Sequence, residues 1–364
     1  LDLTDFFNDW VFSPGFAQFS IDSLQINPLG GAFGVNVFIK QRLDHAPGYY
    51  QHVPLEITFM DENRNQQVEK VMMSGRCGIY STILPFNPVY AGLDLGEKIS
   101  DAITADSKNI TATGIVTYVN GAMTLNVGSI PDTAFIRIEH NYAPPDPFKI
   151  PIPNLHISDY HYWKVDGVIP TGFDATSVIH YDGSTLSSGY WDNNLITNSE
   201  DSLVVLYRLS PKYDWQIVTD VSQNFSGSHT DKHGFFTINH IQKGEYAFGI
   251  YDHNKVDSAD NSGNDPCIVL AVPSAEQRES GGIHLFPNPT TESFNITLDF
   301  TGSHNLLEIY NLYGHLMFSG VLNSGESKKN VTVKTWPSRM VMVIEMSCLS
   351  GEIVTCVDSM ANSR

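Results

Sequence analysis

Three clusters in this chain have the residue types that chemistry requires. His229 and His233 lie four apart around Asp231, the spacing that on a helix would present two imidazoles to one zinc ion. Their setting, SGSHTDKHG, is a Gly/Ser loop, where that spacing guarantees nothing, so a solvated loop is expected. His156, Asp159 and His161 fall in an aromatic β-run, HISDYHYW, and are expected to be structural. The third cluster is the acidic stretch 252–265. There Asp252, Asn254, Asp257, Asp260 and Asp265 offer the oxygen ligands that calcium takes, but without the EF-hand glycine and ligand order. A solvated linker is the expectation for it, with calcium as the alternative.

Nucleophilic chemistry finds no support. The G-x-S-x-G elbow and the glycine-rich phosphate loops are absent. Cys77 sits beside Arg76, which could favour its thiolate, but a structural thiol is expected. The four cysteines, at 77, 267, 348 and 356, form no CxxC pair. No catalytic residue, metal or cofactor is assigned to the chain. Tyr160, Tyr162, Trp163, Tyr181, Tyr190, Trp191 and Trp215 crowd one region. Exposed, they would stack on sugars or peptides, but the expectation is a sandwich core.

The elements that must position these residues read as β. The 364 residues are 41% hydrophobic and only 17% charged, with period-two apolar alternation along most of the chain. A net charge of −19 argues against nucleic acid and anionic membranes as partners. No apolar run approaches the ~20 residues of a membrane-spanning helix.

One helix is predicted over 1–12, with Thr4 as N-cap and Pro14-Gly15 as its stop. Its apolar stripe of Leu3, Phe6, Phe7, Trp10 and Val11 needs a docking surface. The fold class predicted is all-β, with tandem β-sandwich domains and one short N-terminal helix. Its parts are the terminal helix of an upstream domain (1–16), a sandwich (17–142), a second sandwich (143–253), a linker (254–281) and a C-terminal sandwich (282–364). The junction at 143 rests on the proline-rich APPDPFKIPIP. Near the C-terminus, Ser350-Gly351 is expected to turn a hairpin that pairs Cys348 with Ile353 and Cys356 with Glu345. That register sets the two cysteines on opposite faces and unbonded.

Two resemblances follow. FPNPTTESFNITL and LEIYNLYGHLMFSG, within 283–320, resemble the C-terminal sorting domain of proteins exported by the type IX system of Bacteroidetes. Phe286, Pro287, Asn288, Pro289, Tyr310, Asn311 and Gly314 carry that motif. The resemblance implies a secreted or cell-surface protein whose partner is the type IX machinery. The end departs from the family pattern at Ser338-Arg339-Met340-Val341 and in its Ala361-Asn362-Ser363-Arg364 terminus. LTDFFNDWVFSPGFAQFSI resembles the junction of aminopeptidase-N-type gluzincin metallopeptidases, where the last catalytic-domain helix enters a β-sandwich. That likeness implies an upstream zinc domain as a second partner. None of the 13 histidines begins HExxH, so the site would lie before Leu1. The chain then reads as the non-catalytic part of a secreted peptidase, or alternatively as a stand-alone adhesin or carbohydrate-binding protein.

Overall fold

The structure is a computed structural model. It describes residues 2–185, 190–253 and 267, and the backbone of seven strands between 283 and 360. The chain divides into two compact units, Leu1–Val269 and Leu270–Arg364.

The helix, α1, is Thr4–Trp10, shorter than predicted. Leu3 rather than Thr4 is the cap residue, with no side-chain cap, because the Asp2 carboxylate already accepts from the Thr4 amide at 2.9 Å. The helix ends at Trp10 with Val11 as its C-cap, before the predicted Pro14-Gly15 stop, and Gly15 instead leads the chain into the first strand. Its φ is +81°, and a Cβ there would meet the Ala46 nitrogen at 2.3 Å, so only glycine fits the approach.

A first sandwich follows. β1 (Phe16–Pro28) pairs with β2 (Phe33–Asp44), which pairs on its other side with the edge strand β5 (Cys77–Leu84). The facing sheet runs β4 (Gln66–Met73), β3 (Val53–Met60), β6 (Tyr90–Leu93). Alternate residues point inward, so Phe19, Val35, Val37, Ile39, Leu55, Ile57, Phe59 and Leu84 form the core. The predicted β3–β4 hairpin is closed by Asp61, whose carboxylate accepts from the Asn63 and Asn65 amides.

The predicted boundary at 142 is overturned. β7 (Ile103–Ile110) and β10 (Ala134–Asn141) belong to the next sandwich, because β10 pairs with β7 on one side and β12 (Tyr162–Val168) on the other. That sheet continues through β18 (Gly244–Tyr251) and β14 (Leu203–Arg208) to β15 (Gln216–Ile217), with β11 (Leu155–Ile157) also on β18. Against it lies the sheet β16 (Val221–Phe225), β17 (His233–Ile238), β13 (Asp174–Asp182), β9 (Met123–Ser129), β8 (Gly114–Tyr118). Leu125, Ile136, Ile138, Trp163, Val165, Ile179, Tyr181, Val205, Phe236 and Phe248 fill the space between them.

APPDPFKIPIP is a crossover and not a domain linker. Proline cannot donate to a ladder, which keeps this segment out of the sheet. Phe148 instead packs on a small outer core with Leu155, Tyr162, Leu206, Trp215 and Ala247. The first sandwich therefore ends near Leu93 and the second begins near Ile103.

In the C-terminal unit, β19 (Ile283–Phe286), β20 (Ser293–Leu298) and β23 (Lys328–Thr332) form one sheet. β22 (Leu316–Leu322), β21 (Asn305–Asn311), β24 (Met340–Cys348) and β25 (Ile353–Met360) form another. The β24–β25 register corrects the expected hairpin. Ser347 lies opposite Ile353 and Ile344 opposite Cys356, one residue from the predicted pairing. A shift of one removes the register on which the expected facing of Cys348 and Cys356 rested, and their side chains lie outside the described residues. The two residues lie four positions apart along the ladder, about 13 Å, beyond the reach of a disulfide.

Candidate functional site

The densest unusual chemistry lies at one end of the second sandwich. Neighbouring strands β10 and β12 set His140 opposite Trp163, and the rings stack at 5.0 Å with a 4° tilt. His161, just before β12, is within 2.8 Å of His140 through its Nδ1. Its Nε2 meets the Asp192 carboxylate at 3.0 Å. Asp192 closes a short 3-10 turn, Tyr190–Asp192, and is itself fixed by the Asp182 amide at 2.9 Å. All three side chains are buried.

The carboxylate fixes the proton order. Asp192 accepts from Nε2–H of His161, and in the tautomer with that proton Nδ1 of His161 is the acceptor for Nε2–H of His140. His140 Nδ1 is left with a lone pair and no hydrogen-bond partner. Burial, reinforced by the nearby His161, holds the His140 pKa well below the usual imidazole range. A base oriented by an Asp–His pair is a catalytic geometry. Among the described residues, though, neither ring bonds a Ser, Thr or Cys side chain, and no cluster of three His, Cys, Asp or Glu could hold a metal.

Above His140 sit Tyr142 and Trp191. Trp191 meets the His140 ring edge-on at 4.9 Å and is 44% exposed. It is the exception among the predicted core aromatics. Tyr162, Trp163, Tyr181 and Trp215 are buried, Tyr160 is half-buried, and the Tyr190 side chain lies outside the described residues.

Sequence reasoning also missed a buried ionic cluster between the two sandwiches. Asp146, in the proline-rich crossover, accepts from Lys40 at 2.9 Å and from Arg42 at 2.8 and 2.9 Å. Arg208 donates to it at 2.8 Å and pairs with Glu245 on the neighbouring strand. Burial opposes ionisation of Asp146, yet Arg42, Arg208 and Lys40 hold its pKa well below the usual carboxylate range. The sequence signal was faint. Lys40 and Arg42 occupy strand positions where alternation alone cannot separate a buried cation from a solvated one.

The other predicted residues disperse. His229 contacts Asp201 and stacks on Phe225 in an exposed loop, while His233 begins β17. His156 bonds the Asp252 carbonyl at 3.0 Å, and Asp159 is exposed. Of the calcium candidates only Asp252 is described. Its amide donates to the Asn154 carbonyl at 2.9 Å, tying the end of β18 to the start of β11. Asn254, Asp257, Asp260 and Asp265 lie outside the described residues. Glu200 went unnoticed in sequence. It is fully buried with both carboxylate oxygens unpaired, and burial, together with Asp231, raises its pKa.

Cys77 is bonded to Cys267, a pairing 190 residues apart that spacing could not reveal. A half-buried crosslink between the first sandwich and the segment after β18 fits an oxidising, extracytoplasmic setting.

In the C-terminal unit, Phe286 ends β19 opposite Asn295, and Tyr310 and Asn311 end β21 opposite Val343 and Met342. Pro287, Asn288, Pro289 and Gly314 lie outside the described residues. Residues 284–343, from β19 into β24, match the family described as a secretion system C-terminal sorting domain. No curated protein matches the chain. The sorting domain points to the type IX secretion machinery as partner and to a protein that is secreted or attached to the cell surface.

Proposed function

We propose that residues 1–253 are a non-catalytic, exported β-rich body that packs through α1 against a catalytic domain of gluzincin type. The observation that carries this reading is the outward face of α1. Phe6 and Phe7 on this seven-residue helix are 50 and 43% exposed, and Leu3, Val11 and Phe12 flanking it are 45, 54 and 75% exposed. α1 is held to the body by Trp10 edge-on to Tyr50 and by Asp5 and Asp9 reaching His52 and the Gln51 amide. Contiguous aromatic exposure of this kind marks an interaction surface. It agrees with the likeness of LTDFFNDWVF to the end of a peptidase domain.

The reading makes the chain alone inactive, since it has no HExxH helix. Two measurements test it. The coding sequence upstream of Leu1 is expected to encode a HExxH helix, and a signal peptide placed directly before Leu1 would refute the docking partner. Purified chain with added zinc is expected to leave aminoacyl chromogenic substrates uncut, and metal-dependent turnover would refute the non-catalytic assignment.

A second reading, a stand-alone adhesin or carbohydrate-binding protein, is favoured by Trp191 alone, half-exposed beside Tyr142. Saccharides that quench Trp191 fluorescence in the wild type and not in Trp191→Ala would support it.

A further inference from the structure

Cys77 opens β5, an edge strand of the first sandwich, and Cys267 follows the last strand of the second. The bond between them closes a covalent ring 190 residues long. Every strand from β7 to β18, and so the whole second sandwich, lies inside that ring. The shortest covalent route from the N-terminal helix to the sorting unit is therefore residues 1–77, the disulfide, and residues 267–364.

We infer that Cys77–Cys267 is a mechanical bypass, which keeps the second sandwich out of the path of tension when the protein is held at a point beyond Cys267 and pulled from its N-terminal side. The role rests on the surface-attached of the two fates, secreted or attached, that the sorting domain points to. Sheets unfold under force by breaking hydrogen bonds one ladder at a time. A disulfide yields only to bond scission or reduction. Tension entering at residue 1 strips β1 to β4, because these precede Cys77, and then reaches the crosslink. From there it passes to Cys267 and the sorting unit without acting on the ladders that hold β7 to β18. The surface around Trp191, His140 and Asp192 stays folded while the rest of the chain extends.

The test pulls the whole chain in an optical trap, with handles at residues 1 and 364, in oxidising buffer. The wild type is expected to stop lengthening with the 190 ring residues still compact. Cys77→Ser combined with Cys267→Ser is expected to release a further length of about 650 Å, at ~3.4 Å per residue. Dithiothreitol on the wild type should reproduce that gain. An oxidised wild type that extends to its full 364-residue length, or a double variant that extends no further than the wild type, would overturn the inference.

A second readout does not depend on force. A protease site inserted in the exposed loop at 226–232 should be cut to give fragments that stay joined on a non-reducing gel and separate once reduced. Fragments that separate without reductant would overturn the ring itself. Neither assay needs surface attachment, so a failure of the sorting reading would show separately, as retention of the protein in the cell.

Discussion

Asp146→Ala should uncouple the two sandwiches. The carboxylate takes charged hydrogen bonds from Lys40 and Arg42 in the first sandwich and from Arg208 in the second, at 2.8–2.9 Å. Each such bond is worth about 1.5–3 kcal/mol in isolation, but the three share one acceptor and their energies do not add. Arg208 keeps Glu245, and Arg42 keeps the Ser20 hydroxyl at 2.6 Å and Asp22 at 3.9 Å. The loss is therefore expected at about 3–5 kcal/mol, the usual cost of breaking one side of a buried ion pair. At ~2–4 °C per kcal/mol for bodies of this size, the midpoint should fall on the order of 10 °C.

The sign with pH follows from the depressed pKa of Asp146. Its stabilisation is complete above the unfolded value near 3.9 and is lost as pH falls through the lower folded value. The gap between wild type and variant should thus be widest at neutral pH and close below about pH 4. The assay is calorimetry with parallel urea unfolding on oxidised protein, where the variant should show two transitions. Asp146→Asn, which keeps the shape and drops the charge, should lie between the two. A midpoint within 2 °C of wild type at pH 7, with one unchanged transition, would refute the argument that this carboxylate couples the sandwiches.

Three further outcomes are expected. Asp101, whose pKa burial pushes up to about 8 with help from Glu139, keeps a proton in the folded state that the unfolded chain loses near pH 4. Wild-type stability should therefore decline relative to Asp101→Asn as pH rises from 4 toward 8, measured by urea titration at fixed pH steps, and parallel curves would contradict the burial. Replacing Cys77 and Cys267 with serine should lower stability by about 5 kcal/mol, the chain-entropy value for so long a loop, in guanidinium unfolding. A fluorescent protein carrying a signal peptide and residues 283–364 should leave a type IX-competent cell, and its retention in the periplasm would count against the sorting function.

The period-two alternation in GVNVFIKQRL, VPLEITFMD, ATSVIHYDG and DSLVVLYRL located β2, β3, β13 and β14 from sequence, because which face a strand buries is a local property. The sorting segment was legible for a related reason, since its signature is a contiguous run of residues. Strand partnership was not legible. Proline at 144, 145 and 147 says only that a segment leaves the ladder, and a crossover and a domain linker meet that condition equally. The fold settled the matter by pairing β10 with β12 across it.

The C-terminal hairpin shows the same division, since alternation fixed both strands while the register moved by one residue. By itself, then, the sequence determined the β class, most of its strands and the export signal. The tertiary structure alone decided the His140–His161–Asp192 chain, the Asp146 cluster and the Cys77–Cys267 bond. The physical reason is distance along the chain. These groups meet across about 20 to 190 residues, and no local propensity or spacing records which strands become neighbours in space.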